Sequence, residues 1–258
     1  AAYQTRLFDR QGSRISLTES GNLLLEHCER ILEDYKRLEY EMHLLHNEYT
    51  GGLKLGASTT IAQYVLPPLL ASFIGKFPQV SLSLLNGNSR EIEAALQEHR
   101  IDLGFVEGVF RLPNIRYTTF LEDELVAVVR TGSKLAVGEE ITPDELFHLP
   151  LVLRERGSGT LDVFERALQQ HNIKLSSLQV LMYLGSTESI KLFLEHTDCL
   201  GIVSVRSITR ELYSGQLRVV EIKGMPMLRD FSFAQPQGQE SGLAQVFMQF
   251  AMHNNHKL

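Results

Sequence analysis

The chain has 258 residues, enough for one large or two smaller globular domains, and its 43% hydrophobic content is typical of a protein with a real core. Its 25 basic and 31 acidic residues give a formal net charge of −6, which excludes general binding to nucleic acid and requires any DNA contact to be local. The sequence shows no apolar run of membrane-spanning length and no signal-peptide pattern, so we expect a cytoplasmic protein that does not enter membranes.

Residues 1–18, AAYQTRLFDRQGSRISLT, predict a small hairpin with a basic tip. The tripeptide QGS is a turn signal, and apolar residues alternate with polar ones after it, as in a short strand. A hairpin of this kind suits contact with a DNA phosphate backbone, although on these residues alone an ordinary exposed basic turn is the simpler interpretation. The candidate DNA contacts are Arg6, Arg10 and Arg14.

Residues 19–50 predict a long helix with one narrow apolar stripe. Thr18 is a suitable N-cap, and the stripe residues recur at steps of four and three, as in a coiled-coil seam. Such a stripe needs a second helix to cover it, so we expect a homodimer or homotetramer; a helix lying on its own domain is the alternative. The candidate dimerisation residues are Leu24, Ile31, Tyr35, Leu38, Met42 and Leu45.

From Gly51 onwards, strand and helix patterns alternate, which is typical of a mostly parallel sheet with helices on both faces. Gly51 and Gly52 are expected to end the long helix, as glycine does at a C-cap. Strands are predicted at 53–56, 80–85, 103–107, 115–120, 124–130, 151–153, 180–184, 200–205 and 217–222. Helices are predicted at 62–77, 90–98, 161–170, 187–195 and 243–252, and a strand through Phe231 and Phe233 is expected to return to the first half of the body.

Two similar units, GASTT at 56–60 and RGSGT at 156–160, each join a strand end to a helix start through small hydroxyl residues. Ligands of open α/β sheets bind at the carboxyl ends of strands, so the two units can hold a small polar ligand between them; helix capping is the alternative role for the hydroxyls. Glu107 ends another strand, where it either contacts an amine or hydroxyl or is simply solvated. Arg154 and Arg156 either add positive charge to this site or face solvent, so they are not candidates for its core. The candidate binding residues are Ser58, Thr59, Thr60, Glu107, Gly157, Ser158, Thr160 and Gly201.

The chain resembles the LysR-type transcriptional regulators over its whole length. The resemblance depends on the order of RLFDRQGSRISLTESG, YTGGLKLGAST, VLPPLLASFIGKFPQVSL, LQEHRIDLGFVEG, DELVAVVR, LPLVLRERGSGT and CLGIV. It implies an α/β fold: a two-lobed domain like a periplasmic binding protein, preceded by a long N-terminal linker helix. The implied domains are a wing remnant of a winged helix-turn-helix at 1–18, the linker at 19–50, lobe I at 51–131 and 229–258, and lobe II at 132–228. The resemblance also implies that most of the helix-turn-helix lies ahead of residue 1.

The implied function is that of a DNA-binding regulator whose body binds a small effector between its lobes and relays the change through a dimerising linker helix. The helix starts at Ser58 and Thr160, with their unpaired N–H groups, make a small anion or carboxylate the expected effector. A solute-binding protein of a transport system is the alternative, and the wing-like start and the linker argue against it. An enzyme is less favoured because the sequence contains no nucleophile–base or metal-ligand pattern, and no cofactor is expected. Cys28 and Cys199 are expected to be free thiols, the second buried.

Overall fold

A computed structural model describes residues 5–11, 14–46, 49–135, 138–238 and 242–254. The chain forms two units, Ala1–Tyr49 and Thr50–Leu258. No described helix is long and apolar enough to cross a membrane.

The first unit is a hairpin followed by a long helix. Strands β1 (Phe8–Gln11) and β2 (Arg14–Leu17) pair antiparallel, and helix α1 runs over Glu19–His46. The N–H of Gly21 donates to Thr18 Oγ1 at 3.0 Å, so the predicted hairpin and the predicted N-cap are both confirmed.

The seam of α1 lies open in the single chain. Ile31, Leu38 and Met42 are 66%, 56% and 50% exposed. Tyr35 is also more than half exposed and Leu24 is partly buried, whereas the side chain of Leu45 lies outside the described residues. An apolar stripe with this exposure is unfavourable in water unless another surface covers it.

The second unit alternates strands and helices, as predicted. The strands are β3 (Gly51–Ser58), β4 (Val80–Gly87), β5 (Leu103–Glu107), β6 (Ile115–Arg130), β7 (Glu140–Ile141), β8 (Pro150–Arg154), β9 (Gln179–Leu184), β10 (Leu200–Ser204), β11 (Leu217–Ile222) and β12 (Leu228–Pro236). The helices are α2 (Thr59–Tyr64), α3 (Leu66–Lys76), α4 (Ser89–Gln97), α5 (Gly159–Gln170), α6 (Thr187–His196), α7 (Thr209–Tyr213) and α8 (Gly242–Asn254). Short 3₁₀ turns occupy Pro143–His148, Leu175–Ser177 and Val205–Ser207.

The strands form two lobes that share one long strand. Lobe I has the order β4-β3-β5-β12-β6, and lobe II has the order β6-β10-β8-β9 with β11 on the other side of β6. Up to Glu124, β6 pairs with β12, and from Leu125 onwards it pairs with β10 and β11. The first crossing between the lobes therefore lies at Glu124–Leu125, ahead of the predicted boundary at residue 131. The strand through Phe231 and Phe233 pairs with β5 and β6, which confirms its return to lobe I.

Three local predictions are wrong, each for a physical reason. Gly51 and Gly52 do not cap α1 but open β3, where they pair with Val80 and Ser81 of β4. The helix predicted at 62–77 starts at Thr59 and breaks at Val65 because Pro67 and Pro68 remove two backbone donors and crowd the preceding turn. The strands predicted at 115–120 and 124–130 are one continuous strand, because the polar residues between them pair with β12.

Aromatic packing of α3 against α8 closes the core of lobe I. Phe73 is fully buried, and its ring centroid lies 4.7 Å from that of Phe77, 4.8 Å from Phe247 and 5.2 Å from Phe250. Since α8 comes from the end of the chain, this cluster ties the last segment of the body to the first lobe.

The Phe73→Ala substitution is expected to lower the free energy of unfolding by about 3–5 kcal/mol, because it leaves a cavity among three other rings. Urea unfolding is the measurement. Ile74→Ala on the same helix is the matched control: Ile74 is 50% exposed, so its truncation should cost far less. Equal losses for the two variants would contradict this account of the core.

Candidate functional site

The two hydroxyl-rich units meet across the lobes at one carboxylate. Thr60 Oγ1 of lobe I lies 3.2 Å from Glu107 Oε1, and Thr160 Oγ1 of lobe II lies 3.3 Å from the same oxygen. All three side chains are buried: Thr60 is 0%, Glu107 4% and Thr160 2% exposed. The structure thus brings Thr60, Glu107 and Thr160 together, and it shows that Glu107 is not a solvated strand end.

Arg229 on β12 completes this cluster, and the sequence analysis missed it. Its Nη1 lies 3.2 Å from Glu107 Oε1 and donates to Thr160 Oγ1 at 3.0 Å. Its Nη2 lies 2.7 Å from Asp123 Oδ2 on the crossing strand β6. Two fully buried carboxylates would be costly without a buried cation between them. The available signal was a basic residue next to Asp230 at the start of a strand that contains two buried phenylalanines.

Lobe II also binds Asp123, through a side chain at the end of β10. Ser204 Oγ donates to Asp123 Oδ1 at 2.7 Å, and Arg206 Nε lies 3.6 Å from the same oxygen. Both strands at the crossing therefore carry a charged side chain that bonds to lobe II: Asp123 of β6 to Ser204 and Arg206, and Arg229 of β12 to Thr160.

Arg154 faces inward, so of its two predicted alternatives the structure excludes exposure to solvent. It ends β8 at 1% exposure, its Nη2 donates to Thr59 Oγ1 at 3.4 Å, and its Nε donates to Glu155 Oε2 at 2.8 Å. Every residue of Leu151–Arg154 is buried, because β8 lies between two other strands of lobe II. Arg156, by contrast, is exposed.

Four buried polar atoms at these contacts have no hydrogen-bond partner among the residues that the structure describes: Ser58 Oγ, Glu107 Oε2, Arg154 Nη1 and Arg229 Nη2, the last of which is ion-paired with Asp123. Ser58 precedes α2 without making a side-chain cap. Neither the Ser58 nor the Thr160 hydroxyl therefore caps a helix. The side chain that does cap one is Ser158, whose Oγ accepts from the N–H of Thr160 at 3.2 Å.

Glycines allow the lobes to approach closely beside this cluster. A Cβ at Gly159 would stand 2.2 Å from the carbonyl oxygen of Glu107, and one at Gly108 would stand 2.9 Å from the Cα of Gly159. Gly157 has φ +90°, a conformation that favours glycine, and its carbonyl accepts from the N–H of Arg90 at 3.3 Å.

Gly201 is the predicted site residue that the structure does not bring to the cluster. It lies inside β10, where a Cβ would stand 3.0 Å from both Ile190 and Leu194 of α6. Ser204, three residues and about 10 Å further along the strand, reaches the cluster instead.

A second contact between the lobes lies on the next turn of α2. The hydroxyl of Tyr64 donates to Glu188 Oε1 of α6, and burial together with this carboxylate raises the pKa of the phenol above its usual range. Lys191 Nζ lies 2.7 Å from Glu188 Oε1 and 2.7 Å from Glu211 Oε1, and it stands 5.3 Å from the ring centroid of Tyr64. The ammonium group of Lys191 thus positions the Glu188 carboxylate that accepts the hydrogen bond from Tyr64.

Neither metal binding nor thiol chemistry has support in the part of the chain that the structure describes. Its residues include no group of three or more His, Cys, Asp or Glu able to hold a metal ion. Both cysteines are free, and burial, together with the neighbouring Asp198, raises the pKa of the Cys199 thiol to about 11, which keeps it protonated and unreactive.

Comparison with known proteins identifies the class. The family model for the LysR substrate binding domain matches residues 46–255. The YeiE regulator of Escherichia coli K12, an uncharacterized HTH-type transcriptional regulator, is 35% identical over 84% of this chain and 71% of its own. The HTH-type transcriptional regulator CysL of Bacillus subtilis is 26% identical over 90% of this chain and 76% of its own.

Solved structures agree on the fold. The Synechocystis CcmR regulatory domain in complex with 2-PG has a TM-score of 0.71 at 28% identity, covering 79% of this chain and 97% of that one. Corynebacterium glutamicum OxyR has a TM-score of 0.69 over 98% of this chain and 79% of its own, and at 18% identity it supports the fold alone.

The chain therefore belongs to the LysR family of transcriptional regulators. The predicted α/β fold, with two lobes like a periplasmic binding protein, is confirmed. Its family is one of regulators, not enzymes, and the alternative of a transport protein is not favoured.

The Gly159→Ala substitution is expected to force the lobes apart, because its Cβ would overlap the Glu107 carbonyl. We expect a loss of about 1–3 kcal/mol in the free energy of unfolding. Gly185→Ala is the control, since a Cβ there meets nothing within 4 Å. Thermal and urea unfolding of both variants measure the effect, and a Gly159→Ala protein as stable as its control would refute the close contact.

Proposed function

We propose that this regulator binds a small anion or carboxylate between its lobes, at Ser58, Thr59 and Arg154, close to Thr60 and Thr160. The observation that carries the proposal is the buried guanidinium of Arg154, which reaches across to lobe I and keeps one nitrogen without a partner among the described residues. A guanidinium only donates hydrogen bonds, so its natural complement is an anionic acceptor.

The charge balance around Arg154 supports an anion. Its carboxylate partner, Glu155, is 26% exposed at the side chain and so gives a screened interaction, whereas Arg154 itself is at 1%. Ser58 adds a buried hydroxyl without a partner among the described residues, on the residue next to Thr59. The similarity to the CcmR regulatory domain, which was solved with 2-PG, is consistent with a small organic ligand in this fold.

The proposed switch is a change in the relative position of the lobes. An anion held by Ser58 of lobe I and Arg154 of lobe II binds the closed arrangement better than any open one, which is the differential affinity that a conformational switch requires. The direct contacts of Thr160 with Glu107 and of Tyr64 with Glu188 already favour closure. The ligand adds to contacts that exist without it.

We propose that the first unit carries this change to DNA. Arg6 and Arg10 are exposed on the hairpin, as a contact with phosphates requires, and the side chain of Arg14 lies outside the described residues. Since the family acts on DNA, the cytoplasm is the compartment that we propose for the protein.

Homo-oligomerisation through the open seam of α1 is part of the proposal, with a second copy of this chain as the partner. Each sheet also ends in an exposed strand with apolar side chains: Leu84 and Leu85 on β4, and Leu181, Met182 and Tyr183 on β9. Exposed edges of this kind invite pairing unless another surface covers them. The α1 seam and the exposed strand edges together are surfaces enough for either a dimer or a tetramer.

For effector binding, Arg154→Met should weaken small anions about tenfold to a hundredfold, since a hydrogen bond to a charged group contributes about 1.5–3 kcal/mol. Calorimetry with sulfate, phosphate, 2-PG and short carboxylates is the measurement. Arg156→Met makes the same charge change two residues away on an exposed side chain and should bind like the parent. If both variants keep the parent affinity, the anion site lies elsewhere.

For assembly, Leu38→Glu should weaken self-association at least tenfold, because it buries an unpaired charge in the seam. Leu23→Glu is the matched control: Leu23 and Leu38 are 59% and 56% exposed, but Leu23 lies off the heptad seam. Sedimentation over a concentration series separates the two. A parent protein that stays monomeric at tens of micromolar, or a control as disruptive as Leu38→Glu, would sink the seam interface.

A further inference from the structure

We infer that the effector carries a hydrogen-bond donor next to its anionic group, so that it is a small hydroxy acid or amino acid rather than a simple anion. This inference rests on the proposed anion site at Arg154 and adds a second recognition point, the free oxygen of Glu107.

The two oxygens of Glu107 have very different surroundings. Oε1 is reached by Thr60 Oγ1 at 3.2 Å, Thr160 Oγ1 at 3.3 Å and Arg229 Nη1 at 3.2 Å. Oε2 is buried and accepts no hydrogen bond from any described residue. These contacts fix the orientation of the carboxylate and leave one oxygen that can only accept, so a matching group must donate.

The two side chains that carry the unpartnered donor and the unpartnered acceptor contact consecutive residues through their other atoms. Arg154 Nη2 contacts Thr59 Oγ1 at 3.4 Å, and Glu107 Oε1 contacts Thr60 Oγ1 at 3.2 Å. Thr59 and Thr60 are consecutive, with Cα atoms about 3.8 Å apart, so a ligand of a few carbon atoms spans both. An acid group for Arg154 and a hydroxyl or ammonium group for Glu107 satisfy both ends.

A ligand without a donor would meet a penalty at this position. It would bring its own electron pairs against a buried carboxylate oxygen, and it would leave that oxygen unpaired. Sites that are built to hydrogen-bond a ligand group discriminate strongly against analogues that lack it, because their buried polar atoms then stay unsatisfied. Glu107 is in this sense a specificity-determining residue, whereas Arg154 binds any small anion.

The experiment compares matched acids by calorimetry on the whole chain. Propionate, L-lactate and L-alanine differ only in hydrogen, hydroxyl or ammonium on carbon 2, and so do succinate, L-malate and L-aspartate. In at least one series we expect the hydroxy or amino acid to bind ten times or more as tightly as its parent acid. Sulfate, or a parent acid, binding as tightly as every donor-bearing member would overturn the inference without any variant.

The Glu107→Gln variant gives a second and opposite signature. It removes a negative charge and exchanges an acceptor for a donor, so the parent acids should bind as well or better while the hydroxy and amino acids lose about tenfold. A variant that is merely loosened weakens both kinds of acid, which counts against the inference. Glu98→Gln, on an exposed residue paired with Arg100, is the control and should change neither.

Failure of this inference and failure of the proposed function are distinguishable. If Arg154→Met weakens the binding of every acid but Glu107→Gln leaves the preference for hydroxy and amino acids intact, the anion site is supported and the role of Glu107 in selecting a donor is refuted. If the preference is present and Arg154→Met has no effect, the proposed anion site falls. Absence of binding by every acid and by sulfate overturns both.

Discussion

The body of this regulator depends on a buried carboxylate that both lobes share. Glu107 ends a strand of lobe I, receives a hydroxyl from each lobe, and is neutralised by Arg229 on the strand that returns from lobe II. Breaking a buried pair of this kind usually costs about 3–5 kcal/mol, because the remaining charge is left without compensation. The charge pair itself lies within lobe I, and lobe II joins it through Thr160, whose hydroxyl contacts both Glu107 and Arg229.

The contacts described between the lobes at this cluster are polar. The hydroxyl groups of Thr59, Thr160 and Tyr64 make these contacts, and a hydroxyl can exchange a protein partner for ligand or water at small net cost. Arg154 and Ser58 keep atoms without partners among the described residues, and the adjacent Gly157 and Gly159 let the two backbones approach. Rigid cores such as the ring cluster around Phe73 lie inside the lobes, so the adaptable chemistry is confined to the boundary.

The sequence predicted well whatever depends on neighbours along the chain. The hairpin at 8–17, the capped start of α1 and most strands follow from alternation, turn residues and caps, all of which are local signals. It failed in two ways, by passing over a local signal and by lacking a distant one. The break at Val65 comes from two prolines that follow it, and the continuity of β6 comes from pairing with β12, which is about a hundred residues away.

The residues of the candidate site also differ in whether the sequence could predict them. Thr60, Glu107 and Thr160 were predictable because strand ends and helix starts are visible in a sequence and meet at one edge of an α/β sheet. Arg229 and Arg154 were not, because whether an arginine faces water or a buried carboxylate depends on which residues lie across from it. By itself the sequence determined the family, the order of elements and the two loops that meet at Glu107. Only the tertiary structure decided which charges are buried, since charge burial is set by residues far apart in the chain.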